Sequence, residues 1–189
     1  MTTTYSLREA GQATKAIPEF RAPDVAQVAE MIREDALALA RKKLLPIQRS
    51  LETAILLQRS DFFENFKYGL TVGVAEALAA NDQHLQAIYA YDPSANPDSE
   101  SGEAMPLEAT IHLVALATAS SAALEAYIAA LDRALTESLK KFSSPRFALR
   151  ESILDVNVIT EKEVRLGLGY AALLSAVFAP PLKLWEREK

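Results

Sequence analysis

LQAIYAY at residues 85–91, EATIHLVAL at 108–116 and ILDVNVI at 153–159 are the stretches on which the fold turns. Each is short and apolar, with aromatic or β-branched residues, and predicts a strand. The run at 92–106 between the first two is rich in Pro, Ser, Asn, Asp and Glu, a loop composition. The first two strands are therefore expected to lie antiparallel. Between the second and third, Ser120 or Ser121 caps a long helix with Leu124, Ile128, Leu131, Leu135 and Leu139 turned inward. That helix ends at Lys140 and Lys141, ahead of Pro145.

On the N-terminal side, Phe63, Phe66, Leu70, Val74 and Ala77 share a face of a helix that runs to about Asn81. Asp61 and Glu64 have the spacing of a capping box at its start. Gly69 and Gly73 lie one turn apart in it. Each costs about 1 kcal/mol against alanine, which points to another backbone packing closely there. Further upstream, Val25, Val28, Ala29, Ile32, Ala36 and Leu39 recur at helical steps, with Asp24 as N-cap and Pro46 as terminator. A second helical run spans Ile47 to Gln58. Residues 1–22, punctuated by Gly11 and Pro18, read as a flexible tail.

Downstream of the third strand, Thr160 and Glu163 form a capping box, but Gly167 and Gly169 limit the segment it opens to a turn or partial helix. A helix is expected from Tyr170 to Phe178, stopped by Pro180 and Pro181, and Leu182 to Trp185 reads as an edge strand. The organisation is thus a tail at 1–22, a helical arm at 23–59 and an α+β domain at 60–189. In that domain a small mixed sheet of three to four strands packs against helices.

Composition excludes several chemistries. With 189 residues, half of them apolar and 24% charged, the chain is globular rather than disordered. It has no cysteine, so disulfides, thiolate zinc sites and cysteine nucleophiles are out. Residues 61–119 carry one basic residue against nine acidic, which argues against a nucleic-acid groove there. No apolar run is long enough to span a membrane, and the first twenty residues lack a signal-peptide core. These features imply a cytoplasmic protein that binds neither nucleic acid nor membrane.

Counting Asp92 as position one, Ser94, Asn96, Asp98, Glu100 and Glu103 fall at the ligand spacing of a calcium loop. Pro97 stands where that loop needs glycine, so a solvated acidic loop is the expectation and no metal or cofactor is assigned. GLGYAA at 167–172 fits a loose dinucleotide fingerprint, yet too little chain remains beyond it for the required strand. These two glycines are read as packing positions. His84 and His112 are too far apart in sequence to suggest a ligand pair, and no Gly-x-Ser-x-Gly elbow occurs.

The order helix, strand, loop, strand, helix, strand over about 61–160 resembles the core of minimal nucleotidyltransferases. In that family a Gly-Ser pair follows the first strand, Asp-x-Asp lies on the second, and a third Asp on the third. Here Asp92-Pro93-Ser94-Ala95 occupies the Gly-Ser position with Ser94 matching, and Asp155 falls at the third carboxylate. Glu108 or His112 stands in place of the alternating aspartates. Two carboxylates on one strand face are what hold paired magnesium ions in line. The resemblance therefore implies a degenerate relative, a pseudoenzyme or nucleotide binder, with Ser94, Glu108, His112 and Asp155 as its site. The main expectation is a non-enzymatic interaction or assembly module, homodimeric, because the apolar face of the arm needs cover from its own domain or from a second chain.

Overall fold

The structure, a computed structural model, describes residues 22–92, 110–142, 151–176 and 180–188. The four predicted strands form, as β1 (Leu85–Ala90), β2 (Ile111–Ala117), β3 (Leu154–Thr160) and, at an edge of the sheet as expected, β4 (Leu182–Glu186). The sheet order is β3-β2-β1-β4. β1 runs antiparallel to both β2 and β4, whereas β2 and β3 are parallel. A parallel pair needs a long crossover, which helix α4 (Ala122–Lys140) supplies. Its N-cap is Ser121, whose hydroxyl accepts from the amide of Leu124. The fold is α+β.

Alternation along β2 divides the sheet into two faces. Ile111, Leu113, Ala115 and Ala117 enter the main core beneath the helices. Val114 points the other way and is buried with Ile159 under Ala171. Both sides of the strand are covered along most of its length, which explains the nearly unbroken apolar run from Leu113 to Ala117.

Three long helices build the main core. α1 (Ala22–Lys42) lays Ala29, Ile32, Ala36 and Ala40 into one apolar cluster with Phe62, Phe66, Leu70 and Val74 of the helix Ser60–Asn81 and with Leu131 and Leu135 of α4. The apolar face of α1 is therefore covered by its own chain, whereas Leu45, Ile47 and Ile55 farther along the arm stay exposed. Gly69 makes this close approach possible: a Cβ there would stand 2.8 Å from the backbone Cα of Ala36. Polar contacts fasten α1 to the C-terminal end of α4 as well. Arg33 Nη1 donates to Ser138 Oγ at 2.9 Å, and its guanidinium lies 5.4 Å from the centre of the Phe142 ring.

Several local expectations are corrected. α1 already includes Ala22 and Pro23, so Asp24 lies inside the helix rather than at its cap. The run from Ile47 to Gln58 yields only a 3-10 turn, Pro46–Gln48, and the one-turn helix α2 (Thr53–Leu56). Between them Arg41 takes over the carbonyls, donating to Arg49 O at 2.6 Å and Leu51 O at 3.2 Å. The Ser60–Asn81 helix, α3, has Arg59 as N-cap without a side-chain bond. The predicted box fails because Asp61 is already helical and its carboxylate is spent on Arg59.

At the C-terminal side the Thr160–Glu163 capping box is present and starts the short helix α5 (Glu161–Leu166). Hydrogen bonds from the Thr160 hydroxyl and amide hold the Glu163 carboxyl below its usual range. Gly167 and Gly169 are not packing positions. A Cβ at either would meet nothing within 4 Å, but both adopt positive φ, +62° and +51°. Gly167 is the left-handed cap of α5. Instead of a helix from Tyr170, a 3-10 segment runs over Gly169–Ser175. Among the described residues, no helix is long and apolar enough to cross a membrane.

Candidate functional site

Parallel pairing sets His112 directly beside Asp155, on the sheet face turned away from the main core. His112 Nδ1 lies 2.8 Å from Asp155 Oδ2. A carboxylate can only accept, so Nδ1 carries the proton and, in the neutral ring, Nε2 is left as the acceptor. Two of the four residues named for the nucleotidyltransferase resemblance therefore meet. Ser94 and Glu108 lie outside the described residues.

Three further residues complete the cluster. Tyr91, just past the end of β1, donates its hydroxyl to Asp155 Oδ2 at 3.0 Å, and its backbone amide bonds to His112 O at 3.2 Å. Asn157 Nδ2 donates to Asp155 Oδ1 at 3.1 Å. The Tyr170 ring stands 5.9 Å from that of Tyr91. Burial and the Asp155 carboxylate push the Tyr91 phenol far above its ordinary range. Asp155-x-Asn157 was a readable signal, since residues two apart on a strand share a face. Tyr91 and Tyr170 carried no such signal, because their meeting depends on how the 3-10 segment folds back over the sheet.

Asp155 thus accepts from a tyrosine, a histidine and an asparagine of its own chain. This organises one sheet face and orients the imidazole. Of the calcium-loop residues only Asp92 is described, exposed beyond the end of β1; Asn96, Asp98, Glu100 and Glu103 lie outside. Among the described residues, no group of three His, Asp or Glu side chains is placed to hold a metal ion.

A second feature lies on the flank of the sheet. β3 is an edge strand, and a groove of about 370 Å³ separates it from α4, with Ile128 and Ala129 on one wall and Leu154, Val156 and Val158 on the other. Ile153 O accepts from Ile111 N at 2.7 Å, so odd-numbered residues of β3 face β2 while Leu154, Val156, Val158 and Thr160 turn their backbone groups outward.

Side chains occupy the two ends of that edge. Asp132 Oδ1 accepts from the amides of Ile153 and Leu154, both at 2.9 Å. Ser152 Oγ donates to Leu154 O at 3.3 Å, and Glu163 Oε2 accepts from Thr160 N at 2.7 Å. Among the described residues, nothing pairs with the outward N–H and C=O groups of Val156 and Val158. No family model, curated protein or solved structure matches the chain.

Proposed function

We propose that this chain is a non-enzymatic protein-interaction and assembly module that contacts its partner through the outer edge of β3 and the groove beside α4. The observation that carries this reading is the pair of open backbone sites at Val156 and Val158. An exposed strand edge is a template for adding another strand, and the neighbouring groove offers apolar pockets for side chains. Three of the usual protections of an edge are missing from β3: neither lysine nor proline occurs in LDVNVIT, and its register with β2 is unbroken by a bulge.

The partner is a protein rather than nucleic acid or membrane. The acidic middle of the sequence would repel phosphates, and the chain needs neither metal nor cofactor for this role. A cytoplasmic setting belongs to the same reading. The Asp155 cluster fits as a structural device, with its carboxylate engaged by donors of its own chain on both oxygens.

The test is site-specific photo-crosslinking in the native cells. A photoreactive aliphatic residue at position 158 should yield cross-linked protein, whereas the same residue at the exposed Leu182 position on the opposite edge should not. Absence of any cross-link at 158 refutes the reading.

The contact of His112 with Asp155 favours one alternative, a nucleotide-binding relative of the nucleotidyltransferases. Its measure is a thermal shift with nucleoside triphosphates and magnesium. A ligand at 100 times its dissociation constant stabilises by about 2.7 kcal/mol. An unmoved transition at millimolar nucleotide retires it.

A further inference from the structure

Resting on the edge-binding reading, we infer that the strand received by β3 is β3 of a second copy, paired antiparallel about a two-fold axis at Asn157. In an antiparallel pair, directly opposed residues lie on the same face of the sheet. Two identical strands can therefore meet only with the axis passing through a residue, never between two.

Few such residues remain. An axis at Asp155 would set that carboxylate against its own copy, and an axis at Val158 would set Asp155 against Glu161. An axis at Val156 would pair Leu154 with Val158, but the N–H of Leu154 is held by Asp132 and its C=O by Ser152. An axis at Asn157 pairs Val156 with Val158 of the other copy. Both residues turn outward, so the pairing makes four backbone hydrogen bonds and uses the open groups of each copy. The side-chain bonds to Leu154 and Thr160 end the ladder on either side without being displaced.

Side chains agree with this register. Val156 meets Val158 on the groove side, Asn157 meets Asn157 on the other, and Asp155 lies across from Ile159. No like charges oppose. The complementarity is a property of β3 with itself, and this is what selects a second copy over a foreign strand: one sequence supplies both halves of an isologous contact.

The experiment uses the full chain, sized by light scattering and sedimentation from micromolar to millimolar concentration. Wild type should show a reversible dimer. Asn157→Lys and Asn157→Glu each place like charges at the axis and should weaken it by about fivefold, while an equal mixture of the two restores the dimer mass. Hydrogen exchange on wild type needs no variant: the Val156 and Val158 amides should become more protected as concentration rises. A monomeric wild type overturns the second-copy inference, yet a cross-link from position 158 to another protein would leave the edge-binding reading standing. A dimer that both variants preserve, or amides at 156 and 158 indifferent to concentration, also overturns it.

Discussion

Replacing Gly69 by alanine tests whether α1 belongs to the core, because two effects of opposite sign compete. In an open helix the change would stabilise by about 1 kcal/mol through helix propensity alone. Here the new Cβ would lie 2.8 Å from Ala36 Cα, 3.0 Å from Ala36 Cβ and 3.3 Å from Leu39 Cδ2. The first of these is backbone and cannot swing aside, so α1 must lift by about 0.6 Å to reach ordinary contact at 3.4 Å. A gap of that size forfeits about a quarter or more of the dispersion energy at each contact it opens. Overpacking of this kind costs about 2–3 kcal/mol, and after the propensity gain the net loss is about 1–2 kcal/mol. In a chain of this length that lowers Tm by about 2–8 °C. Urea unfolding should show a reduced midpoint with an unchanged slope. Gly73→Ala tests the same contact one turn on and should also destabilise. Its new Cβ would stand 2.9 Å from Cγ2 and 3.2 Å from Cγ1 of Ile32, a β-branched side chain held stiff at χ1 in a helix. A Gly69→Ala protein as stable as wild type, or more stable, would refute the seating of α1 on α3.

Gly167→Ala meets no atoms but must hold φ at +62°, so it should lose about 1 kcal/mol in urea unfolding, and Gly167→Asn less. Asp132→Ala strands the amides of Ile153 and Leu154 at the start of β3 and should cost about 2–4 kcal/mol, with Asp132→Asn recovering part of it. The Tyr91 phenol is pushed up by burial and by Asp155, so it stays protonated in the folded chain after an unfolded tyrosine has ionised. Its contribution to stability is complete below about pH 10 and is lost as pH rises beyond that. Ultraviolet titration should find Tyr91 late together with Tyr127, whose phenol burial alone pushes up. Asp155→Asn should bring Tyr91 down while leaving Tyr127 late; late phenols that Asp155→Asn does not move would detach Tyr91 from Asp155.

All four strands, the helix between β2 and β3, and the capping box at Thr160 were legible because each is a local matter. An apolar run of strand length or a Ser or Thr followed by Glu states its conformation within a few residues. Local signals also misled. Asp61 and Glu64 had the spacing of a box, but Arg59 captured the aspartate. Gly167 and Gly169 were read as sites of close packing, whereas only their backbone angles require glycine. Gly69 was read correctly as a point of approach, although nothing in its neighbourhood named the partner.

The candidate site divides along the same line. Asp155 and Asn157 could be placed on one strand face by counting, and so could the apolar face of α1. That His112 would stand beside Asp155 follows from the register of β2 with β3, which is set through a nineteen-residue helix and residues beyond it. That Tyr91 would reach the same carboxylate depends on β1 pairing with β2. The sequence by itself determined the elements, their amphipathic faces and the absence of cysteine chemistry, since these depend on residue type and period. Tertiary structure alone decided that α1 is covered by its own chain, which carboxylate gathers the tyrosine and histidine, and which strands stand at the edges of the sheet. Those outcomes rest on contacts between segments distant along the chain, where side chains compete for the same backbone groups.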